Sequence, residues 1–227
     1  MPIGYWARTA KRNSCSVPPI CCGLSISVVS LPCLMLNIII FGPPGAGKGT
    51  QSEKLIAKYS LQHISTGDLL RAERNAGTPL GNTANEYISK GELVPDDVVI
   101  GMVRNFMAAH PGATGFIFDG FPRTTPQAEA LDNMLLEFHT SISTVLGLEV
   151  EEDELVKRLV LRGQTSGRVD DQDEDTIRNR FREYQNKTLP LQSFYQQQAK
   201  YQSVKGIGEI DEIFASLSAC IDGLKHG

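Results

Sequence analysis

One local feature constrains this chain more than any other. An apolar run, Leu36-Asn37-Ile38-Ile39-Ile40-Phe41, leads into Gly42-Pro43-Pro44-Gly45-Ala46-Gly47-Lys48-Gly49-Thr50, and a helix-prone stretch continues to about Tyr59. The run is rich in β-branched residues, as a strand covered on both faces would be. Set between strand and helix, Gly-x-x-x-x-Gly-Lys is a phosphate-binding loop. Its glycines let backbone N–H groups turn inward and approach a polyphosphate closely. The helix N-terminus adds partial positive charge, and Lys48 adds a mobile full charge for the outer phosphates. The residue after Lys48 is Gly49 rather than Ser or Thr, with Thr50 next. A magnesium ion at such a loop is expected to rest mainly on phosphate oxygens and water, which suits its reluctance to dehydrate.

The rest of the chain alternates in the same style. Short apolar runs recur at 62–65, 115–119, 144–150 and 201–204, with helical patterns at about 96–110, 126–138, 152–162, 174–200 and 210–225. Strand and helix in alternation predict an α/β fold with a central parallel sheet covered by helices. Thr66 to Pro95 is helix-prone and holds no strand candidate, and Gly163 to Asp173 is short, polar and glycine-containing. Both are expected to be flaps inserted at the strand-exit edge, where open α/β sheets bind ligands.

Composition narrows the partners. A net charge of −4 over 227 residues excludes a nucleic-acid surface built on overall charge, so phosphate must be met by locally placed cations. The cysteines are Cys15, Cys21, Cys22, Cys33 and Cys220, with no Cys-x-x-Cys pair. Neither a disulfide framework nor a structural zinc site is expected, and a reducing, intracellular setting fits. Residues 1–34 differ from the rest: Arg8, Lys11 and Arg12 occur without any acidic residue, and an apolar, Cys-rich stretch follows from about Ile20 to Met35. A targeting segment has this look. The favoured reading is a non-native or disordered extension, with translation starting at Met35 directly before the first strand. Pro32 and the polar interruptions argue against a membrane span.

Three further motifs carry chemistry. In Ile64-Ser65-Thr66-Gly67-Asp68-Leu69-Leu70-Arg71, Thr66 or Asp68 can cap a helix while Arg71, one turn in, can grip a phosphate with two hydrogen bonds. In Gly115 to Thr124, Asp119 ends a buried strand as a metal-holding carboxylate would. Arg123 follows it, and the amide of Gln127 can meet a base edge with one donor and one acceptor. Arg158 and Arg162 share a helix face at i, i+4, followed by a loop with Arg168 and then by Arg178 and Arg180. Taken singly, these could be an ordinary capped helix, a strand-end cap and solvated surface charges.

Together with the loop variant Gly-x-Pro-Gly-x-Gly-Lys-Gly-Thr, the motifs resemble nucleoside monophosphate kinases, and the short-lid adenylate kinases in particular, from Met35 to the C-terminus. The resemblance implies a three-layer P-loop NTPase fold: a core at 35–64, 95–160 and 172–227, an inserted helical NMP-binding domain at 65–94 and a short lid at 161–171. It implies the reaction ATP + AMP = 2 ADP. It puts Gly45, Ala46, Gly47, Lys48, Gly49, Thr50, Arg158, Arg162 and Gly208 at ATP. Thr66, Arg71, Glu92, Leu93, Val94, Gly120, Phe121, Pro122, Arg123, Gln127, Arg168 and Arg180 fall at AMP. Lys48, Arg123, Arg158, Arg162, Arg168 and Arg180 would serve the transferring phosphoryl group, and Asp119 would hold Mg²⁺ through water. The spacing from Arg168 to Arg180 is one residue longer than the family's, so Arg178 rivals Arg180. Asp170 and Asp171 are expected to pair with arginines in the closing hinge. The acceptor is already an anionic oxygen and needs no general base; His63, His110, His139 and His226 lie outside every motif. The implied partners are ATP and AMP or ADP, with neither nucleic acid nor membrane, for a cytoplasmic monomer; ATP against GTP as donor stays open. A UMP/CMP kinase of the same fold is the nearest alternative, opposed by Thr66 and Gln127, where the pyrimidine enzymes typically carry Ala and Asn. A non-catalytic P-loop switch would need no second nucleotide site, and hence none of Arg71, Arg123, Arg168 and Arg180.

Overall fold

Among the described residues, five short strands run parallel to one another: β1 Ile38–Phe41, β2 Gln62–Ser65, β3 Phe116–Asp119, β4 Thr144–Glu149 and β5 Tyr201–Lys205, in the order β2-β3-β1-β4-β5. The computed structural model describes residues 35–166, 168–171 and 173–224. The expected extension 1–34, Gly167 and Gln172 at the expected lid, Lys225 at the end of the last expected helix and His226 lie outside the described residues.

Strand β1 is central, with Ile38 opposite Ile117 on one side and Thr144 on the other. Its side chains alternate between two apolar layers. Ile39 and Phe41 share a core with Val99, Val103 and Met107 of α4 (Asp96–Ala109) and Leu131 and Met134 of α5 (Thr125–Glu137). Ile38 and Ile40 pack with Leu55 of α1 (Lys48–Tyr59), Leu159 of α6 (Glu152–Ser166) and Leu217 and Ile221 of α9 (Ile210–Gly223). Helices therefore cover both faces, giving the doubly buried strand that the apolar run predicts and the three-layer α/β architecture that the resemblance implies. Burying each such side chain is worth about 1.5–3 kcal/mol, which keeps polar residues out of 38–41. Asn37, just before the strand, is fully buried yet satisfied: it accepts from the Phe116 N–H at 3.2 Å and donates to Thr140 Oγ1 at 2.9 Å and Ser141 O at 3.0 Å.

The stretch after β2 forms two helices, α2 (Thr66–Asn75) and α3 (Pro79–Ile88). Ser65 caps the first by accepting the Asp68 N–H, and Thr78 caps the second by accepting the Gly81 N–H at 3.0 Å, with Pro79 opening it. Gly81 lets α3 press onto the backbone of α2 at Glu73 and Arg74, where a Cβ would collide.

Two later stretches differ from the sequence expectation. Helix α6 runs past Arg162, through Gly163, to Ser166, and a 3₁₀ turn follows at Val169–Asp171. Gly163 acts as a packing position inside the helix, because a Cβ there would strike the Asp171 carbonyl. The long helix expected over 174–200 is divided into α7 (Glu174–Glu183), a π-helical segment Tyr184–Thr188 and α8 (Leu191–Gln197). Pro190 explains the division: it has no N–H to continue the ladder, and the wider turn ends with the Leu189 N–H on the Tyr184 carbonyl at 2.8 Å.

Because all strands are parallel, the loops leaving β1, β2 and β3 and the turn after β5 gather at one edge. Gly81→Ala should force α2 and α3 apart and cost about 1–3 kcal/mol, read as a lower urea midpoint with unchanged slope; an unshifted midpoint would show that the helices do not depend on this close approach.

Candidate active site

The phosphate loop is shaped by glycines. Gly45 and Gly47 adopt φ of 86° and 88°, which side chains disfavour, and Gly47 starts α1 without any side-chain cap. The first-turn N–H groups of α1 thus donate no hydrogen bond to a cap side chain, and the turn carries no acidic residue. Lys48 curls back over the loop, donating from Nζ to the carbonyls of Gly42 at 2.8 Å and Pro43 at 2.9 Å. Burial pushes its ammonium down to about 8; Arg123, Arg180 and Arg162 push the same way and Asp119 opposes them.

Asp119 closes β3 with its carboxylate partly accessible, and a Cβ added to Gly49 would stand 3.9 Å from Oδ2. The bare Gly49 thus leaves open the space between the start of α1 and the carboxylate. One carboxylate beside a phosphate loop suits an ion that keeps most of its waters, so the residues fit Mg²⁺. His63 also faces this carboxylate, with Nε2 3.9 Å from Asp119 Oδ2, beyond hydrogen-bond length. No motif announced that neighbour; the β2–β3 register brings it there.

A second cluster surrounds Gly120. Its carbonyl accepts from Thr66 Oγ1 at 2.9 Å and Arg123 Nε at 2.8 Å, and its φ of 75° reserves the position for glycine. Arg123 is held down to about 10 by burial and then by Arg180. Gln127 is buried, with Oε1 accepting the Arg123 N–H at 2.8 Å and Nε2 donating to Asp96 Oδ1 at 2.7 Å. Arg71 pairs with Asp68 across bare Gly67, where a Cβ would come 3.1 Å from its guanidinium. One cavity takes in Lys48, Thr66, Arg71, Arg123, Gln127 and Arg180, with Glu92, Leu93, Val94, Phe121 and Pro122 in its wall. Arg158, Arg162, Arg168 and Gly208 are not in that wall.

Arg180 and the arginines beyond that wall are tied down by carboxylates. Arg162 makes a two-pronged contact with Asp171, at 2.6 and 3.0 Å. Arg180 reaches the same carboxylate at 2.5 Å and Asp170 at 2.9 Å. Burial raises the Asp171 carboxyl, but the Arg162 hydrogen bond and the charges of Arg180 and Arg162 outweigh that and hold it below its ordinary value. Arg168 lies 3.9 Å from Asp68 and is pushed down by burial and by Arg71 and Arg162. Arg158 donates to Glu154 at 2.8 Å and to Gly206 O at 3.3 Å, next to the turn that carries Gly208. Arg178 points away: its side chain is 67% exposed and pairs with Glu174, whereas that of Arg180 is 18% exposed. Glu183, Tyr184 and Thr188 also line the cavity, brought there by the π-helical segment. Pro190, within an otherwise helical pattern, was the signal for that bend.

Comparison with known proteins agrees with this geometry. The adenylate kinase family model matches residues 40–200. The chain is 51% identical over 191 residues to an adenylate kinase of Parabacteroides distasonis, and 50% identical over 190 residues to one of Bacteroides thetaiotaomicron. An adenylate kinase of Flavobacterium johnsoniae is 49% identical over 190 residues. Each match takes in 84% of this chain and the whole of the relative. A phosphate loop that shares one cavity with a cluster of arginines is thus accompanied by matching sequence through the region that builds both, and the chain belongs to the adenylate kinase family.

Proposed function

We infer that this protein is an enzyme that transfers a phosphoryl group reversibly between adenine nucleotides, ATP + AMP = 2 ADP. The observation that carries the reading is the single cavity joining Lys48 of the phosphate loop to Arg123 and Arg180 of the second cluster. A switch with one nucleotide needs no such second set of cations.

The division of labour follows from the chemistry. Phosphoryl transfer asks little of the protein beyond positioning and charge neutralisation. The loop from Gly45 to Thr50 would offer N–H groups to the ATP phosphates, with Lys48 as the mobile charge. Arg158 and Arg162 would hold the ATP side, near Gly208 at the base. Arg71, Arg123, Arg168 and Arg180 would hold the AMP phosphate, and Thr66 and Gln127 the adenine. Magnesium, when bound, neutralises charge on the triphosphate oxygens, and Asp119 is the residue that would hold it through water. Two unit charges 4 Å apart at an effective dielectric of 20 repel by about 4 kcal/mol, which is the cost these cations offset when AMP meets ATP. The insert 65–94 and lid 161–171 would close over a core formed by the rest of 35–227, keeping water from the reacting phosphate. The reading includes a monomer in a cytoplasmic compartment; it rests on the family expectation and the scarcity of cysteine after Cys33. Among the described residues, no helix is long and apolar enough to cross a membrane.

Three outcomes test this. With AMP, UMP, CMP and GMP offered as acceptors in a coupled assay of diphosphate formation, AMP should be strongly preferred; equal use of UMP or CMP would favour a pyrimidine kinase. Lys48→Ala should lower kcat by at least roughly 10²–10³-fold, and wild-type turnover would refute its assigned role. ATP should raise the Lys48 ammonium back from about 8. Binding then takes up protons at pH about 8.5, where the free site is mostly neutral, and takes up few at pH about 7, where it is already charged. Titration calorimetry in buffers of different ionisation heat reads this directly, with affinity falling as pH rises above about 8; uptake equal at both pH values would contradict it.

A further inference from the structure

Gln127 is gripped at both ends of its amide. Oε1 accepts the backbone N–H of Arg123, and Nε2 donates to Asp96 Oδ1 at 2.7 Å. Asp96 is itself braced, because Oδ2 accepts the Thr124 hydroxyl at 2.9 Å. Thr124 Oγ1 in turn accepts the Gln127 N–H at 3.3 Å, closing a ring of contacts between the starts of α4 and α5. Gln127 lines the cavity and Asp96 does not, so the carboxylate stands behind the amide.

We propose that Asp96 is a positioning residue that fixes which way round the Gln127 amide faces, and so makes the acceptor site read adenine rather than guanine. The inference rests on the reading of this cavity as the AMP site. A primary amide has two hydrogens on nitrogen and two lone pairs on oxygen. Arg123 and Asp96 take one of each, which leaves one N–H and one lone pair in fixed order. An adenine edge offers its amino hydrogens beside a ring-nitrogen acceptor, matching that order. Guanine carries a carbonyl where adenine has the amino group, so its oxygen meets the amide oxygen. Turning the amide over would suit that guanine oxygen. In this protein the turn sets the amide oxygen against an anionic carboxylate and the amide nitrogen against another N–H. Asp96 thus makes the guanine-reading orientation the costly one. Discrimination comes from leaving polar groups unpaired with the wrong base, as in other sites built to hydrogen-bond their substrate.

The plain alternative is that Asp96 only adds favourable charge to the first turn of α4. Kinetics separates the two. In Asp96→Ala, KM for AMP should rise roughly tenfold, as one directed hydrogen bond would give, with KM for ATP and kcat little changed. The AMP-to-GMP ratio of kcat/KM should fall by a similar factor of roughly ten or more. Asp96→Asn should keep most of the selectivity: its oxygen can still accept from Gln127, and Thr124 Oγ1 can accept from its amide. A helix-charge role would instead make Asn and Ala equally harmful. If Asp96→Ala loses ATP binding through misfolding, Asp96→Ser replaces it, since Ser suits a helix start but is too short to reach Gln127. Unchanged selectivity in the Ala or Ser variant, or equal loss in Asn and Ala, would overturn the proposal. Wild-type protein that does not prefer AMP over GMP would instead defeat the functional reading beneath it.

Discussion

Mutual repulsion among cations is the constraint on which this site depends. Burial first, and then the nearby charges of Arg123, Arg180 and Arg162, depress the affinity of Lys48 for its proton, while Asp119 pulls the other way. Left to itself such a cluster would disperse. It persists because each member hangs from a rigid part of a sheet-centred core. Lys48 begins a helix packed through Leu55, Arg123 hangs from the Gly120 turn after β3, and Arg180 sits on α7 one turn from buried Ile177. Burial of β1 on both faces is what holds that edge still.

Carboxylates then decide which cations are committed and which are not. Asp171, buried and ionised, engages both Arg162 and Arg180, while Asp170 adds a second contact to Arg180. Asp68 engages Arg71 and lies within 4 Å of Arg168. These pairs fix where the guanidiniums sit. Among the described residues, the atoms that the Lys48 ammonium donates to are the carbonyls of its own loop. The strongest demand for an incoming anion therefore centres on the phosphate loop. Phosphate oxygens must compete with carboxylates for the arginines farther out.

Much of this could be read from the chain, for reasons that are local. A phosphate loop is specified by its own glycines and lysine, and β1 by an uninterrupted apolar run, so both were legible. So was Asp119 at a strand end. The choice between Arg178 and Arg180 was not, since it turns on which face of α7 meets the insert, where Gly91 packs against Thr176 and Arg180. The extent of α6 was hidden because Gly163 reads as a helix end, while its reason for being glycine lies in the Asp171 backbone that packs on it. His63 beside Asp119 and Asp96 behind Gln127 depend on strand register and helix placement, which no short motif encodes. The π-helical bend had one marker, Pro190, whose effect depends on how the chain recovers its hydrogen bonds.

The central claim is that two nucleotides meet end to end inside one cation-lined cavity. Titration with a bisubstrate molecule, ATP and AMP joined through their phosphates, compared with ATP alone, tests it most directly. Binding should be tighter by at least roughly 10²-fold, since one ligand then satisfies both cation sets without bringing two molecules together. A joined molecule that binds no better than ATP would mean the second set of arginines receives no nucleotide, and the account would be wrong.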